Sequence, residues 1–150
     1  MTGKIVDSTL TDSAARLRMA IVRTSRRLRQ EAAGAGAELT PTAVSALATV
    51  ERHGPLTPSE LADIERIKRP TATRILRVLV EGGLVDRAPD PADGRSALVS
   101  VNSSGRERLR RLRGRKNAYL ARRMRNLPAD DLRTLDRAAE ILEGILEEKR

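Results

Sequence analysis

A chain of 150 residues suffices for one domain with its own core, or for one domain plus an oligomerisation arm, and is too short for two ordinary domains. It has no cysteine and a single histidine, His53, which excludes disulfides, thiolate zinc sites, a nucleophilic thiol and a histidine-rich metal site, so that no metal and no cofactor is expected. The net charge of +9 and the isoelectric point of about 11.2 invite a polyanion, while no apolar run approaches the ~20 residues that span a bilayer and no signal-peptide stretch is present, so a cytoplasmic protein without a membrane partner is expected.

Leu10, Ala14, Leu17, Ile21 and Leu28 recur at helical spacing, with Thr24 completing the stripe, and predict one amphipathic helix. Arg16, Arg18, Arg23, Arg26, Arg27 and Arg29 occupy its other faces, and Gly34-Ala35-Gly36 gives it a flexible exit. Thr40-Pro41 pairs an N-cap residue with proline in the first turn. Val44, Leu47, Ala48 and Val50 then form an apolar face before Gly54-Pro55 stops the helix, which places it over 41–53. His53, near that end, reads as a surface residue favourably placed on the helix dipole. Thr57 and Glu60 have the spacing of a capping box and open a short helix whose Leu61, Ala62 and Ile64 are expected to point inward. Pro70 fits only the first turn of a new helix, which runs to about Glu81 and ends at Gly82-Gly83. Helices this close together cannot be collinear across Lys68-Arg69-Pro70, so the chain turns there.

Residues 84–87 and 97–101 are short strand candidates on either side of the turn-forming segment 89–94, and predict an antiparallel hairpin. After Gly105 a long Arg-rich helix is expected to about Asn126, with Leu109, Leu112, Tyr119, Leu120 and Met124 as its apolar side. Pro128 starts a last helix in which Leu132, Leu135, Ala139, Leu142 and Leu146 repeat with 3-4-3-4 spacing, as in a packed seam. The basic excess is uneven. Residues 57–101 carry 7 basic and 7 acidic side chains, whereas 102–126 carry 10 and 1. Nearly all are arginine, which a GC-rich genome produces as readily as selection for phosphate contact.

Helix, turn, helix and charged hairpin in this order make a winged helix-turn-helix, a device for reading DNA. Stepping ~100° per residue along 70–81 puts Ala72, Ile75, Leu76 and Leu79 on one side and Pro70, Arg74, Arg77 and Glu81 on the other. Arg74 and Arg77 are thus candidates for guanine contacts, Thr71 and Thr73 for phosphates or thymine methyls, and Lys68 and Arg69 for phosphate. A merely solvated helix face is the competing reading of Arg74 and Arg77. Arg95 at the hairpin tip is suited to a narrow minor groove, or pairs with Asp90 or Asp93.

These residues resemble the MarR family of bacterial transcriptional regulators. The match is carried by Leu56-Thr57, Glu60-Leu61-Ala62, Arg69-Pro70-Thr71, Thr73-Arg74, Gly83-Leu84-Val85 with Arg87, Asp90-Pro91, Asp93 with Arg95, and Gly105, in order and spacing. The resemblance implies a mainly α fold with a small antiparallel β-wing, a winged helix-turn-helix with N- and C-terminal dimerisation helices. The corresponding division is an N-terminal arm over 1–39, a DNA-binding lobe over 40–105 and C-terminal arm helices over 106–150, intertwined as one domain. It assigns Lys68, Arg69, Thr71, Thr73, Arg74 and Arg77 to the recognition helix, and Arg87, Asp93 and Arg95 to the wing. It also implies a small organic effector between arm and lobe, for which Arg16, Arg23 and Tyr119 are candidate liners, with a surface or dimer-interface role as the competing reading.

Three positions depart from the family pattern: Arg66 stands where a turn glycine is common, Arg77-Val78 replaces an Asp-Arg pair, and Gly94-Arg95 replaces two adjacent arginines at the wing. The expected function is a homodimeric, sequence-specific regulator of double-stranded DNA, acting as a repressor on a pseudo-palindrome and relieved by an effector if it has one. The alternative is an architectural DNA- or RNA-binding protein driven by the basic helix over 102–126. An enzyme is not expected, since neither a nucleophile with a base nor a phosphate-cradling glycine loop is present.

Overall fold

The computed structural model describes residues 2–32, 39–93 and 96–146, with side chains from Thr9 to Ile145 among them. In chain order the elements are α1 (Thr2–Ala32), α2 (Pro41–His53), α3 (Pro58–Glu65), α4 (Arg69–Glu81), β1 (Val85–Pro89), β2 (Ala97–Val101), α5 (Ser103–Met124) and α6 (Ala129–Leu146). They form two compact units, residues 1–116 and 117–150, with α5 running from the first into the second. Among the described residues no helix is long and apolar enough to cross a membrane.

The first unit is built around α2, α3 and α4. The Thr40 hydroxyl accepts from the Ala43 N–H and Pro41 takes the first turn, so α2 starts where an N-cap followed by proline dictates. The capping box of α3 is fully formed: the Thr57 hydroxyl accepts from the Glu60 N–H at 3.2 Å, and the Glu60 carboxylate accepts from the Thr57 N–H at 2.7 Å. Ala43, Ala46, Leu47 and Val50 of α2 pack against Leu61 and Ala62 of α3 and Ala72, Ile75, Leu76 and Leu79 of α4. Val85, Val99, Leu56 and Leu109 close this core. Ile64 is a correction to the sequence reading, since its side chain is 44% exposed and the inward face of this eight-residue helix is filled by Leu61 and Ala62.

β1 and β2 pair antiparallel from Val85↔Val101 to Pro89↔Ala97. Leu56 adds a bridge on the outer edge of β2, its N–H donating to the Val99 carbonyl at 3.0 Å and its carbonyl accepting from the Val99 N–H at 2.8 Å. The wing is thus stitched to the segment between α2 and α3. α5 begins two residues before Gly105, which is buried within its first turn, and Asn102 caps it by accepting from the Gly105 N–H at 3.0 Å.

α1 is longer than its apolar stripe, and much of that stripe is open. Leu10 is 66% exposed, and Leu17, Met19, Ile21 and Val22 are exposed with it. In the second unit, Leu132 and Leu142 of α6 are half-buried, whereas Leu135, Ile141 and Ile145 are exposed. Only part of the predicted seam of α6 is covered within the chain, and the Leu146 side chain lies outside the described residues.

Candidate nucleic-acid interface

α4 offers its polar face to solvent. Arg69, Pro70, Thr73, Arg74 and Arg77 are exposed and Thr71 is half-buried, while Ala72, Ile75, Leu76 and Leu79 fix the opposite face in the core. The helix therefore cannot rotate about its axis without exposing core residues, and its arginines hold a constant aim. Thr73 donates its hydroxyl to the Arg69 carbonyl at 3.1 Å, which orients the hydroxyl oxygen as an acceptor. Arg77 lies 3.9 Å from Glu81 with both side chains well exposed, a weak pairing that a stronger partner displaces. The N-cap Lys68 provides no side-chain cap, and the Lys68 and Arg69 charges with the positive end of the helix dipole favour an anion there.

The turn before α4 is built on a single left-handed residue. Arg66 adopts φ 52° and ψ 44°, the left-handed conformation that glycine takes readily. The Ile67 N–H closes on the Ala62 carbonyl at 3.0 Å and the Arg66 N–H on Asp63 at 3.3 Å, a Schellman closure with Ile67 packed against the core. The chain thus turns between the two helices through a left-handed arginine, with the strain carried by Arg66.

In the wing, Arg87 is exposed on β1 opposite Val99. The Asp90 carboxylate accepts from the Ala92 N–H at 2.9 Å and the Asp93 carbonyl from the Ser96 N–H at 2.8 Å, which tightens both shoulders of the loop. Gly94 and Arg95 lie outside the described residues, so the expected pairing of Arg95 with Asp90 or Asp93 lies there as well.

Four arginines of α5 in the first unit have partners within the fold. Arg110 and Arg111 share Glu107 at 2.5 and 3.4 Å, Arg113 pairs with Glu51 of α2 at 2.6 Å, and Arg115 donates to the Ala32 carbonyl at 3.2 Å. In the second unit, Arg122 and Arg123 lie 5.7 and 5.4 Å from the Tyr119 ring centroid, and Arg123 Nε donates to the Tyr119 hydroxyl at 3.3 Å. On α6, Glu140 pairs with Arg137 at 2.6 Å.

A cavity of about 540 Å³ opens in the first unit between α1, α2 and α5. Leu28, Leu39, Val44 and Leu112 supply apolar wall, Ser45 a hydroxyl, and Arg29, Arg108, Arg111, Arg115 and Lys116 a rim with no carboxylate among its liners. Arg16, Arg23 and Tyr119 do not line it. Arg16 and Arg23 sit together on an exposed stretch of α1, and Tyr119 belongs to the second unit. The i, i+3, i+7 spacing of Arg108, Arg111 and Arg115 was the available signal for the rim, since it puts all three on one face of α5.

Known proteins agree with this geometry. Residues 37–96 match the MarR family. The HTH-type transcriptional regulator Mb0904 of Mycobacterium bovis is 37% identical over 135 residues, 90% of this chain and 93% of that protein. The HTH-type transcriptional repressor IacR of Pseudomonas putida is 29% identical over 93 residues, 62% of this chain and 56% of that protein. A transcriptional regulator protein from Pseudomonas aeruginosa superposes with a TM-score of 0.79 at 32% identity, over 91% of this chain and 94% of the other. With a MarR-family match over the reading head, similarity to a helix-turn-helix regulator along nearly the whole chain, and a winged helix-turn-helix in the structure itself, the chain belongs to the MarR family of DNA-binding transcriptional regulators.

Proposed function

We propose that the protein is a homodimeric, sequence-specific repressor that binds a pseudo-palindromic operator through α4 and its wing, and that a small organic anion in the cavity relieves this binding. The observation that carries the DNA-reading part is the exposed row of Thr73, Arg74 and Arg77, held by four buried residues on the opposite face of the same helix. Lys68, Arg69 and Thr71 at its start and Arg87, Asp93 and Arg95 in the wing complete the proposed contact set. The repressor name of the Pseudomonas putida relative supports the direction of regulation.

Dimerisation is supported by the apolar stripe of α1, which the single chain leaves in water. Residues 1–39 and 106–150 then serve as arms and 40–105 as the reading lobe, and two-fold symmetry sets the two α4 helices about 34–36 Å apart, one turn of DNA. The cavity falls within the ~300–1,000 Å³ range of small-molecule sites, and its basic rim over an apolar wall suits a carboxylate with a hydrophobic body.

Fluorescence anisotropy with the duplex upstream of the protein's own gene and a scrambled duplex of equal length tests this reading. A preference of roughly 10³-fold or more is expected at physiological salt. A ratio near one supports the architectural alternative driven by 102–126. Release of the complex by millimolar octanoate, with no release by equal chloride, tests the effector.

A further inference from the structure

Glu65, the last residue of α3, is held from α2 by two hydroxyls. Ser45 Oγ donates to Glu65 Oε2 at 2.8 Å, and Thr49 Oγ1, one turn further along α2, donates to Glu65 Oε1. Both carboxylate oxygens are therefore engaged by one helix, and the bonds are of the charge-assisted kind. The next residue is Arg66, in a left-handed conformation that side chains other than glycine adopt at a cost and keep only where their surroundings over-determine it. α4 begins three residues later. The grip on Glu65 thus fixes the chain immediately before the strained turn from which the reading helix departs.

We infer that Glu65 is a positioning residue for DNA recognition, which, gripped by Ser45 and Thr49, sets the angle at which α4 presents Arg74 and Arg77. Ser45 also lines the cavity. A cavity occupant that accepts the Ser45 hydroxyl proton withdraws it from Glu65, so that one hydroxyl links the cavity to the turn before α4. Mere attachment of α2 to α3 does not require this arrangement, because Leu47 and Leu61 are fully buried at that junction. The inference rests on the DNA-reading function proposed above.

The test is the ratio of affinities for the upstream and scrambled duplexes in Ser45→Ala, Glu65→Ala and the double variant, with folding followed by circular dichroism. Each single variant is expected to lower the ratio roughly tenfold, the scale of losing a hydrogen bond to a charged group, by weakening binding to the specific duplex alone. The double variant should be no worse than Glu65→Ala, and Ser45→Thr, which keeps the hydroxyl, should restore most of the ratio. Folded variants whose ratios stay within twofold of the parent overturn the inference, as do additive losses in the double variant. Should Glu65→Ala fail to fold, Glu65→Gln replaces it in the same cycle. A parent ratio near one is a different result, which removes the DNA-reading function itself.

Discussion

Gly105 lies against the Leu84 carbonyl oxygen, closer than any β-carbon tolerates. A methyl group added there would collide with that oxygen and come within 2.8 Å of Val101 Cγ2. The contact seats the first turn of α5 on the base of the wing, where Asn102 also donates through Nδ2 to the Gly83 carbonyl and to Asp86 Oδ1, both at 3.1 Å. The colliding atom is backbone rather than the end of a flexible side chain, so the clash is not relieved by a change of rotamer. Gly105→Ala is therefore expected to destabilise the fold by about 1–3 kcal/mol, the cost of overpacking a tight site, measured as a shift in the urea midpoint. An unchanged midpoint would mean that α5 does not rest on the wing in this way.

Arg66 provides the opposite case, a position where losing a side chain should help. Its φ of 52° costs an ordinary residue about 1–2 kcal/mol, against the 0.5–1 kcal/mol that a glycine costs through the unfolded chain. Arg66→Gly should raise stability by about 0.5–1 kcal/mol, and Arg66→Val should lower it, because a β-branched residue fits the left-handed region least well. Paired urea titrations of the two variants check both signs at once.

The contrast between these features and the capping residues explains what the sequence makes legible. The starts of α2 and α3 are local chemistry, a hydroxyl three residues from the amide it serves, and Thr40 and Thr57 announce them without reference to the rest of the chain. The outward face of α4 is also legible, because thirteen residues sample enough turns for the period to separate Arg74 and Arg77 from Ile75, Leu76 and Leu79. Eight residues do not, and Ile64 is misplaced for that reason. The Glu65 grip joins residues 20 and 16 positions apart through short polar side chains that follow no period. The cavity is assembled from α1, α2 and α5, so its rim is a property of tertiary packing. Sequence spacing aligned Arg108, Arg111 and Arg115 on a face but carried no information on what that face meets.

The proposed contacts of α4 divide into those that specify and those that hold. Arg74→Ala should cost about 1–3 kcal/mol per half-site on the specific duplex and relax base preference at one position of each half-site. Lys68→Ala, which removes one phosphate contact from each half-site, should weaken specific and scrambled duplexes alike and reduce the slope of log affinity against log salt by about 1.8 per dimer. Anisotropy titrations at several salt concentrations separate the two behaviours. Equal loss on both duplexes for Arg74→Ala would remove it from the base-reading set.

Ile21 and Leu17 stand about one turn apart on α1 and are 46% and 45% exposed in the single chain. If a second copy covers them, a buried carboxylate there has no partner and the interface fails. Ile21→Asp should elute as a monomer in light-scattering chromatography at concentrations where the parent is a dimer, and lose cooperative binding to the full pseudo-palindrome. Retention of the parental mass would place the dimer contact elsewhere.

Acidification should act on the start of α3. The Glu60 carboxyl is held below its ordinary value of 4.5, first by the hydrogen bond from the Thr57 backbone N–H and then by the one from the Thr57 hydroxyl, against smaller opposing effects of burial and of Asp90. A depressed carboxylate contributes stability that is present above its unfolded value and lost as pH falls through the folded one. Glu60→Gln, which keeps an oxygen for the Thr57 amide but no charge, should melt below the parent at neutral pH. The gap between the two melting temperatures should narrow as pH drops below about 4.5, when the parent's carboxylate takes up its proton. A gap that stays constant from pH 7 to pH 3 would show that the charge on Glu60 contributes nothing to the box.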